Sequence, residues 1–157
     1  MKNIPCRGIR NNNPFNIKRS YIEWKGEDKN PEVFDPTFEQ FNNMRYGIRA
    51  GLVLLVNYIK NGYDTPRKII SRFAPSVEND TDSYISFVCR HPLGFVVLQS
   101  DAPLVNVSSF CFLCSRMVTL ECNLNRNQLI NFHLEPRDFG KWYHMFVSNS
   151  PLLDDYE

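Results

Sequence analysis

The pattern of apolar and polar positions changes near Tyr46. Residues 1–44 are rich in Asn, Pro and Asp and have almost no helical period, which predicts loops. Three short extended pieces are expected within them, near Ile17, residues 33–34 and residues 38–41. From Tyr46 onward apolar residues recur at helical spacing, which predicts helices. We therefore expect a mainly α domain, with a loop-rich segment at residues 1–44 and a helical core at residues 46–147.

Capping and breaking residues set the bounds of the predicted helices. Thr65 followed by Pro66 is typical of a helix start, and Gly62 of a helix end. In chain order we predict a long helix from residue 46 to Gly62, a short one from Thr65 to Phe73, a third between Asp80 and His91, a fourth from Ser108 or Ser109 to Cys122, and two more over residues 126–134 and 138–147. The apolar run at residues 95–98 fits either a short strand or a buried connector, because periodicity cannot separate them over four positions.

Length and charge narrow the class of protein. A chain of 157 residues is expected to form one domain. Eighteen basic and seventeen acidic residues give a net charge of +1, which removes any global electrostatic case for nucleic acid or anionic lipid as a partner. The longest apolar run, residues 52–56, is far shorter than the roughly 20 residues of a membrane span, and no apolar signal-peptide core begins the chain. We expect synthesis in the cytoplasm without a signal peptide and no membrane insertion.

The cysteines and histidines do not form a recognisable metal-binding pattern. Most of the five cysteines lie within apolar helical patterns, so we predict buried thiols. Cys111 and Cys114 form a C-x-x-C pair, but it lies inside a helix and has no second pair at zinc-site spacing. The three histidines are far apart along the chain. We therefore predict no metal site and no cofactor.

Glu121 is the strongest candidate for a catalytic group. It follows Met117 by four residues, on the apolar stripe of the fourth predicted helix. A carboxyl on that face loses hydration, which raises its pKa and suits it to act as a general acid near neutral pH. The alternative is that Glu121 turns outward at the helix end, or pairs with Arg116 or Arg126.

Glu78 is the second candidate carboxylate. It lies just before a predicted helix, where exposed backbone N–H groups favour the ionised form. A base or electrostatic role fits that setting better than an acid role. The alternative is an ion pair with Arg72 or Arg10 that holds the loop in place.

Residues 7–18, which we call the signature segment, combine arginines and asparagines around Pro14. This density of side-chain amides suggests a binding surface, although a polar turn before the first helix is an equal alternative. The aromatic residues of the N-terminal region suit stacking on sugar rings but fit a packed core as well. The candidate ligand-binding residues are Arg10, Asn12, Asn13, Asn16, Trp24 and Tyr46.

The signature segment resembles the R-G-I-R-N-N-N-P-G-N-I motif of small phage and prophage virion-associated, lysozyme-like proteins. Trp24 and Gly26 match the W-x-G of that family. Residues 38–41 and 46–50 resemble its F-x-x-F and G-I-R-A elements, and residues 69–85 resemble I-I-x-R-W-A-P-P-x-E-N-D-T-x-x-Y-I. Asp101, Ala102, Pro103 and Leu104 follow in order, before a helix that ends near Glu121. The resemblance covers residues 7–122.

The resemblance implies a single lysozyme-like domain over residues 1–157, with residues 1–44 as a cleft wall. It implies a muramidase or lytic transglycosylase that cleaves the N-acetylmuramyl β-1,4 bond of peptidoglycan, with Glu121 as acid and Glu78 as the candidate second carboxylate. Expected partners are peptidoglycan glycan strands and virion or secretion-apparatus proteins, and the expected place of action is the cell wall or a virion. The main alternative is a non-enzymatic virion structural or glycan-binding protein with the same fold, and a cytoplasmic interaction module is a third.

Order and composition depart from the lysozyme pattern at two points. The cleft-lining turn of lysozymes normally follows the acid-bearing helix, whereas here the signature segment precedes it, which suggests a circular permutation. This hypothesis predicts contact between residues 13–17 and the C-terminal end of the helix that carries Glu121. Phe15 replaces the usual glycine, so either the loop has another shape or Phe15 fills a pocket of its own.

Overall fold

Seven helices make up about half of the computed structural model, which describes residues 6–147 and 149–155. The helices are α1 (Arg7–Arg10), α2 (Met44–Lys60), α3 (Pro66–Phe73), α4 (Thr81–Cys89), α5 (Val107–Cys122), α6 (Arg126–Asn131) and α7 (Pro136–Phe146). The prediction of a mainly α fold is confirmed. The first five residues of the predicted loop segment lie outside the described residues.

Helix α5 lies at the centre of the core. It packs against α1, α4 and α7, and most of its residues are buried. The polar groups on its buried faces are paired, since Ser115 donates to the carbonyl of Leu134 and Thr119 donates to that of Ser115. Because α5 is enclosed on several sides, a polar residue near its end is held between neighbouring elements.

The helix starts follow the capping residues. Thr65, Asp80 and Asn106 each accept a hydrogen bond from a backbone N–H in the first turn of α3, α4 and α5 respectively. The first two caps are those that the sequence predicts, whereas α5 begins one residue before the predicted Ser108. Gly62 follows the end of α2 with φ of 90°, as a glycine at a helix end is expected to do.

The prediction of loops throughout residues 1–44 is wrong at α1. Residues 7–10 form a single helical turn, in which the amides of Arg10 and Asn11 bond to the carbonyls of Cys6 and Arg7. One turn is too short to produce an apolar period, so the pattern could not reveal it.

Two antiparallel bridges organise the rest of the N-terminal region. Lys18 pairs with Phe38, and Glu27 pairs with Phe41. The extended pieces predicted near residue 17 and residues 38–41 are thereby confirmed. The third, at residues 33–34, is instead an exposed bend.

The ambiguous run at residues 95–98 is mostly exposed. Phe95, Val96 and Val97 are 56%, 50% and 43% exposed, and only Leu98 is buried. One antiparallel bridge joins Arg90 to Val96. The segment is therefore an exposed extended piece with a single bridge, closer to the short-strand alternative than to a buried connector.

Phe15 fills a pocket of its own, which was one of the two alternatives for this substitution. Its ring is fully buried and meets the ring of Phe139 edge-on, with centroids 6.0 Å apart. A Cβ on Gly51 would lie 2.1 Å from the Phe15 ring, so α2 leaves space there for the aromatic side chain. The positive φ angles of the turn are carried by Asn12 and Asn16 instead, at 54° and 52°.

Four of the five thiols are buried, at Cys89, Cys111, Cys114 and Cys122, and Cys6 is half-buried. The pKa of each buried thiol is raised by desolvation.

Helices α1–α7 include none that is long and apolar enough to span a bilayer.

Candidate functional site

Glu121 lies in the last turn of α5 and is held by two side chains from other parts of the chain. The Nδ2 group of Asn16 donates to its Oε1 atom at 3.1 Å, and the hydroxyl of Tyr84 donates to its Oε2 atom at 2.8 Å. Both carboxyl oxygens therefore have a fixed donor. This fixes the orientation of the carboxyl group at the junction of α4, α5 and the signature segment.

Burial raises the pKa of Glu121 above its ordinary value. The hydrogen bonds from Tyr84 and Asn16 favour the ionised form, as does the positive charge of Lys18, but they do not cancel the desolvation. The rise expected from the apolar stripe is therefore present. Arg116, an alternative partner, instead donates to the carbonyl of Phe87 and lies over its ring at 3.9 Å.

Tyr84 was missed as a site residue, because its place on the inner stripe of α4 made it look like ordinary core. It is only 6% exposed, and its pKa is raised well above the ordinary value by burial and by the adjacent Glu121 carboxyl. A buried tyrosine hydroxyl usually needs a hydrogen-bond partner. A tyrosine on an apolar helical stripe is the signal that could have identified it.

Asn16 connects the signature segment to the end of α5. With φ of 52°, its side chain faces the helix end, where Nδ2 also donates to the backbone carbonyl of Glu121 at 3.1 Å. The thiol of Cys122 donates to the carbonyl of Pro14 at 3.4 Å. The contact between residues 13–17 and the end of this helix, predicted from the permutation hypothesis, is present.

Gly8 makes this close approach possible. A Cβ at that position would lie 2.6 Å from the sulfur of Cys122, 2.8 Å from the carbonyl oxygen of Asn13 and 2.9 Å from Oδ1 of Asn16. A Cβ atom does not approach non-bonded heavy atoms this closely. A glycine in α1 is thus required for α1 to seat against the Glu121 end of α5.

Glu78 forms an ion pair with Lys18, and not with the predicted Arg72 or Arg10. The Nζ and Oε2 atoms are 2.6 Å apart, and the two side chains are 55% and 52% exposed. Arg72 lies instead over the rings of Tyr58 and Tyr63. The sequence did not indicate Lys18 as the partner, because Lys18 and Glu78 are 60 positions apart along the chain.

Asn13 is a framework residue. It is fully buried, its Nδ2 group donates to the carbonyls of Ile17 and Glu39, and its Oδ1 atom accepts from the amide of Ile17. These bonds use the whole amide to join the signature segment to the strand-like residues 37–39. Asn13 therefore supports the site without facing a ligand in this structure.

Arg10 and Asn12 lie on a separate groove of about 540 Å³. Asn12 donates to the carbonyl of Phe41 at 2.9 Å, which ties this side of the signature segment to the extended piece at residues 38–41. Asp28, Glu32 and Phe34 line the same groove. Of the predicted ligand-binding residues, Asn16 lies at the Glu121 junction, whereas Arg10 and Asn12 lie on this groove.

Trp24 and Tyr46 are half-buried and pack against the core. Gly26, with φ of 78°, lies flat against the Tyr46 ring, since a Cβ there would be 2.1 Å from it. This contact explains the glycine of the W-x-G motif. The packed arrangement agrees with the core alternative for both aromatic residues.

Asp35 anchors the start of the signature segment, a role that the sequence did not indicate. Arg7 donates to both of its oxygens, at 2.6 and 2.9 Å, and Asn11 donates to Oδ2 at 2.9 Å. These bonds, with backbone amides of Thr37 and Phe38, hold the pKa of Asp35 well below its usual range.

Glu39 and Glu27 form a pair of neighbouring carboxyl groups in the N-terminal region. Glu39 is 2% exposed, and burial together with the adjacent Glu27 raises its pKa to about 7. Glu27 also accepts from the amide of Trp24 at 2.9 Å. Within residues 6–147 and 149–155, no cluster of three or more His, Cys, Asp or Glu side chains could hold a metal ion.

No family model matches the chain. It is 47% identical over 92 residues to Protein P5 of Pseudoalteromonas phage PM2, an alignment that covers 56% of this chain and 56% of that protein. The chain thus spans about half the length of this curated relative. A protein of a phage is therefore among its relatives.

Proposed function

We propose that this chain is a lysozyme-like glycosidase that cleaves the N-acetylmuramyl β-1,4 bond of peptidoglycan, with Glu121 as the general acid. The observation that carries the proposal is the half-buried Glu121 carboxyl, oriented by Asn16 and Tyr84 and with a raised pKa. A general acid needs a pKa near the working pH, so that it is protonated in a useful fraction of molecules. The motif resemblance and the phage relative are consistent with this role.

The two oxygens of the Glu121 carboxyl differ in whether they can carry the acid proton, because their hydrogen-bond partners differ. The amide nitrogen of Asn16 can only donate, so Oε1 remains an acceptor. The hydroxyl of Tyr84 can donate or accept, so Oε2 is the atom able to carry the acid proton. In the proposed reaction this proton passes to the glycosidic oxygen as the bond to the sugar carbon breaks, leaving Glu121 ionised and bonded by both donors.

The second step determines the type of enzyme. A water activated by a carboxylate gives hydrolysis, whereas attack by a hydroxyl of the substrate gives lytic transglycosylation. Glu78 is the candidate second carboxylate, and its ion pair with Lys18 makes its role testable. Mass spectrometry of digested peptidoglycan separates the two reactions, because hydrolysis adds a water to the product and transglycosylation does not.

The proposed glycan contacts are the exposed polar groups of the signature segment and the neighbouring aromatic rings. Asn16 lies at the acid, and Arg10 and Asn12 supply polar groups on the separate groove. Trp24 and Tyr46 are each partly exposed. We propose action at the cell wall or within a virion, with virion or secretion-apparatus proteins as partners.

Zymography on cell-wall gels tests the proposal with three matched proteins. We expect the intact chain and Glu23→Gln, which changes an exposed carboxyl, to clear the gel. Glu121→Gln preserves size and removes the proton donor, and we expect clearing to fall at least about a hundredfold. Circular dichroism would verify that this variant is folded.

Equal clearing by Glu121→Gln and the intact chain would contradict the role of Glu121. No clearing by the folded intact chain over a wide pH range would favour the alternative of a non-enzymatic virion structural or glycan-binding protein.

A further inference from the structure

The Lys18–Glu78 ion pair joins the two parts of the chain whose side chains hold Glu121, which are the signature segment and the region of α4. Lys18 lies two residues beyond Asn16, and Glu78 precedes α4, which carries Tyr84. Asn16 and Tyr84 bond to the two different oxygens of Glu121. The ion pair joins the same two parts of the chain nearer the solvent, with Nζ of Lys18 2.6 Å from Oε2 of Glu78. The pair is therefore placed to act on the acid without touching it.

The charge of Lys18 extends to Glu121, where it favours the ionised carboxylate. The groups around the carboxyl are Tyr84 from α4, Asn16 and Lys18 from the signature segment, and Cys122 from α5. Among these, Lys18 is the one with a full positive charge. Its effect on Glu121 is therefore the electrostatic contribution that a partner can tune.

Glu78 tunes this contribution, because a negative charge 2.6 Å from Nζ both offsets the lysine and fixes its direction. Without Glu78, the full positive charge of Lys18 acts on its surroundings, Glu121 among them. The ion pair then controls how strongly the acid holds its proton.

We infer that Lys18 and Glu78 are positioning residues for the proposed reaction, with Glu78 acting through Lys18 and not on the sugar. This inference rests on the proposed function of Glu121. It assigns Glu78 a different task from that of a second catalytic carboxylate. The two tasks predict different responses to substitution.

The test measures the titration of the Glu121 carboxyl by carbon NMR in the full chain, alongside the pH profile of cell-wall cleavage. Lys18→Met should move the titration midpoint to higher pH by about half a pH unit, because the ionised form loses a nearby positive charge. Glu78→Gln should move it to lower pH, because the lysine is no longer offset. Lys60→Met, at the exposed end of α2, is the matched control and should leave the midpoint unchanged.

The alkaline limb of the cleavage profile should move with the titration midpoint in both Lys18→Met and Glu78→Gln. A Glu78→Gln variant that loses cleavage at every pH while Glu121 titrates normally would overturn the inference and make Glu78 a catalytic carboxylate. An unchanged midpoint in Lys18→Met would also overturn it. If the intact chain cleaves nothing, the proposed function fails, and the NMR titration alone still decides whether the pair acts on Glu121.

Discussion

The Tyr84 hydroxyl donates to Oε2 of Glu121 at 2.8 Å, across 37 residues of sequence. This bond joins α4 to the end of α5 and pairs two groups that would each be costly to bury alone. Asn16 supplies the corresponding donor on the other oxygen. The carboxyl is therefore held from two sides while its pKa remains raised.

Tyr84→Phe removes the hydroxyl and leaves the ring in the core. Since the bond favours ionised Glu121, we expect the titration midpoint of that carboxyl, followed by carbon NMR, to rise further. We also expect the free energy of unfolding in urea at pH 7 to fall by about 1–3 kcal/mol, because Glu121 loses one partner. Tyr21→Phe changes a side chain that is 96% exposed and serves as the control. A midpoint that falls in Tyr84→Phe would contradict this account.

Glu121→Gln should make the fold more stable at neutral pH while reducing activity. The folded-state pKa of Glu121 is raised, so the intact protein loses stability as the pH rises from the unfolded value through the folded one. The neutral glutamine side chain avoids this loss. We expect the variant to have the higher melting temperature at pH 8, with the difference shrinking below pH ~4. An equal difference at both pH values would show that ionisation is not its cause.

Glu39→Gln should flatten the dependence of stability on pH. The pKa of Glu39 is raised to about 7 by burial and by Glu27, so ionisation costs stability as pH rises from ~4.5 to about 7. The substitution should therefore stabilise the fold at pH 8 by on the order of 2 kcal/mol and have less effect at pH 4. Urea denaturation at both pH values measures this. Glu23→Gln changes an exposed side chain and should show no such pH-dependent gain in stability. If Glu39→Gln also shows no gain at pH 8, the pKa of Glu39 is not raised.

Asp35→Asn should destabilise the N-terminal region. Asp35 is 8% exposed and accepts from Arg7, Asn11 and two backbone amides. We expect the free energy of unfolding at pH 7 to fall by about 2–4 kcal/mol. Because the folded pKa is depressed, the intact protein keeps this advantage above pH ~4 and loses it as the pH falls toward the folded value.

The control for this experiment is Asp82→Asn, which changes a carboxylate that is 93% exposed in its ion pair with Arg67. Its effect at pH 7 should be below about 1 kcal/mol, as for exposed pairs in general. If both variants lose the same stability, burial of the Asp35 network is not what stabilises the signature segment.

Short-range signals predicted most of the helices but not their partners. Thr65, Pro66 and Asp80 mark helix starts through bonds or ring geometry within a few residues, so the sequence locates them. The single turn of α1 was missed for the opposite reason, since four residues cannot display a period. Asn13 was taken for a ligand-binding residue because composition cannot distinguish an amide that faces a ligand from one that bonds to Ile17 and Glu39.

The sequence by itself determined that a carboxyl lies on an apolar helical stripe, because helical spacing alone places Glu121 in line with Met117. Only the tertiary structure decided which groups surround it. Asn16 and Tyr84 bond to Glu121 from positions 105 and 37 residues earlier in the chain. Chain spacing fixes the face of a helix, whereas contacts between distant segments depend on how the loops and helices pack together.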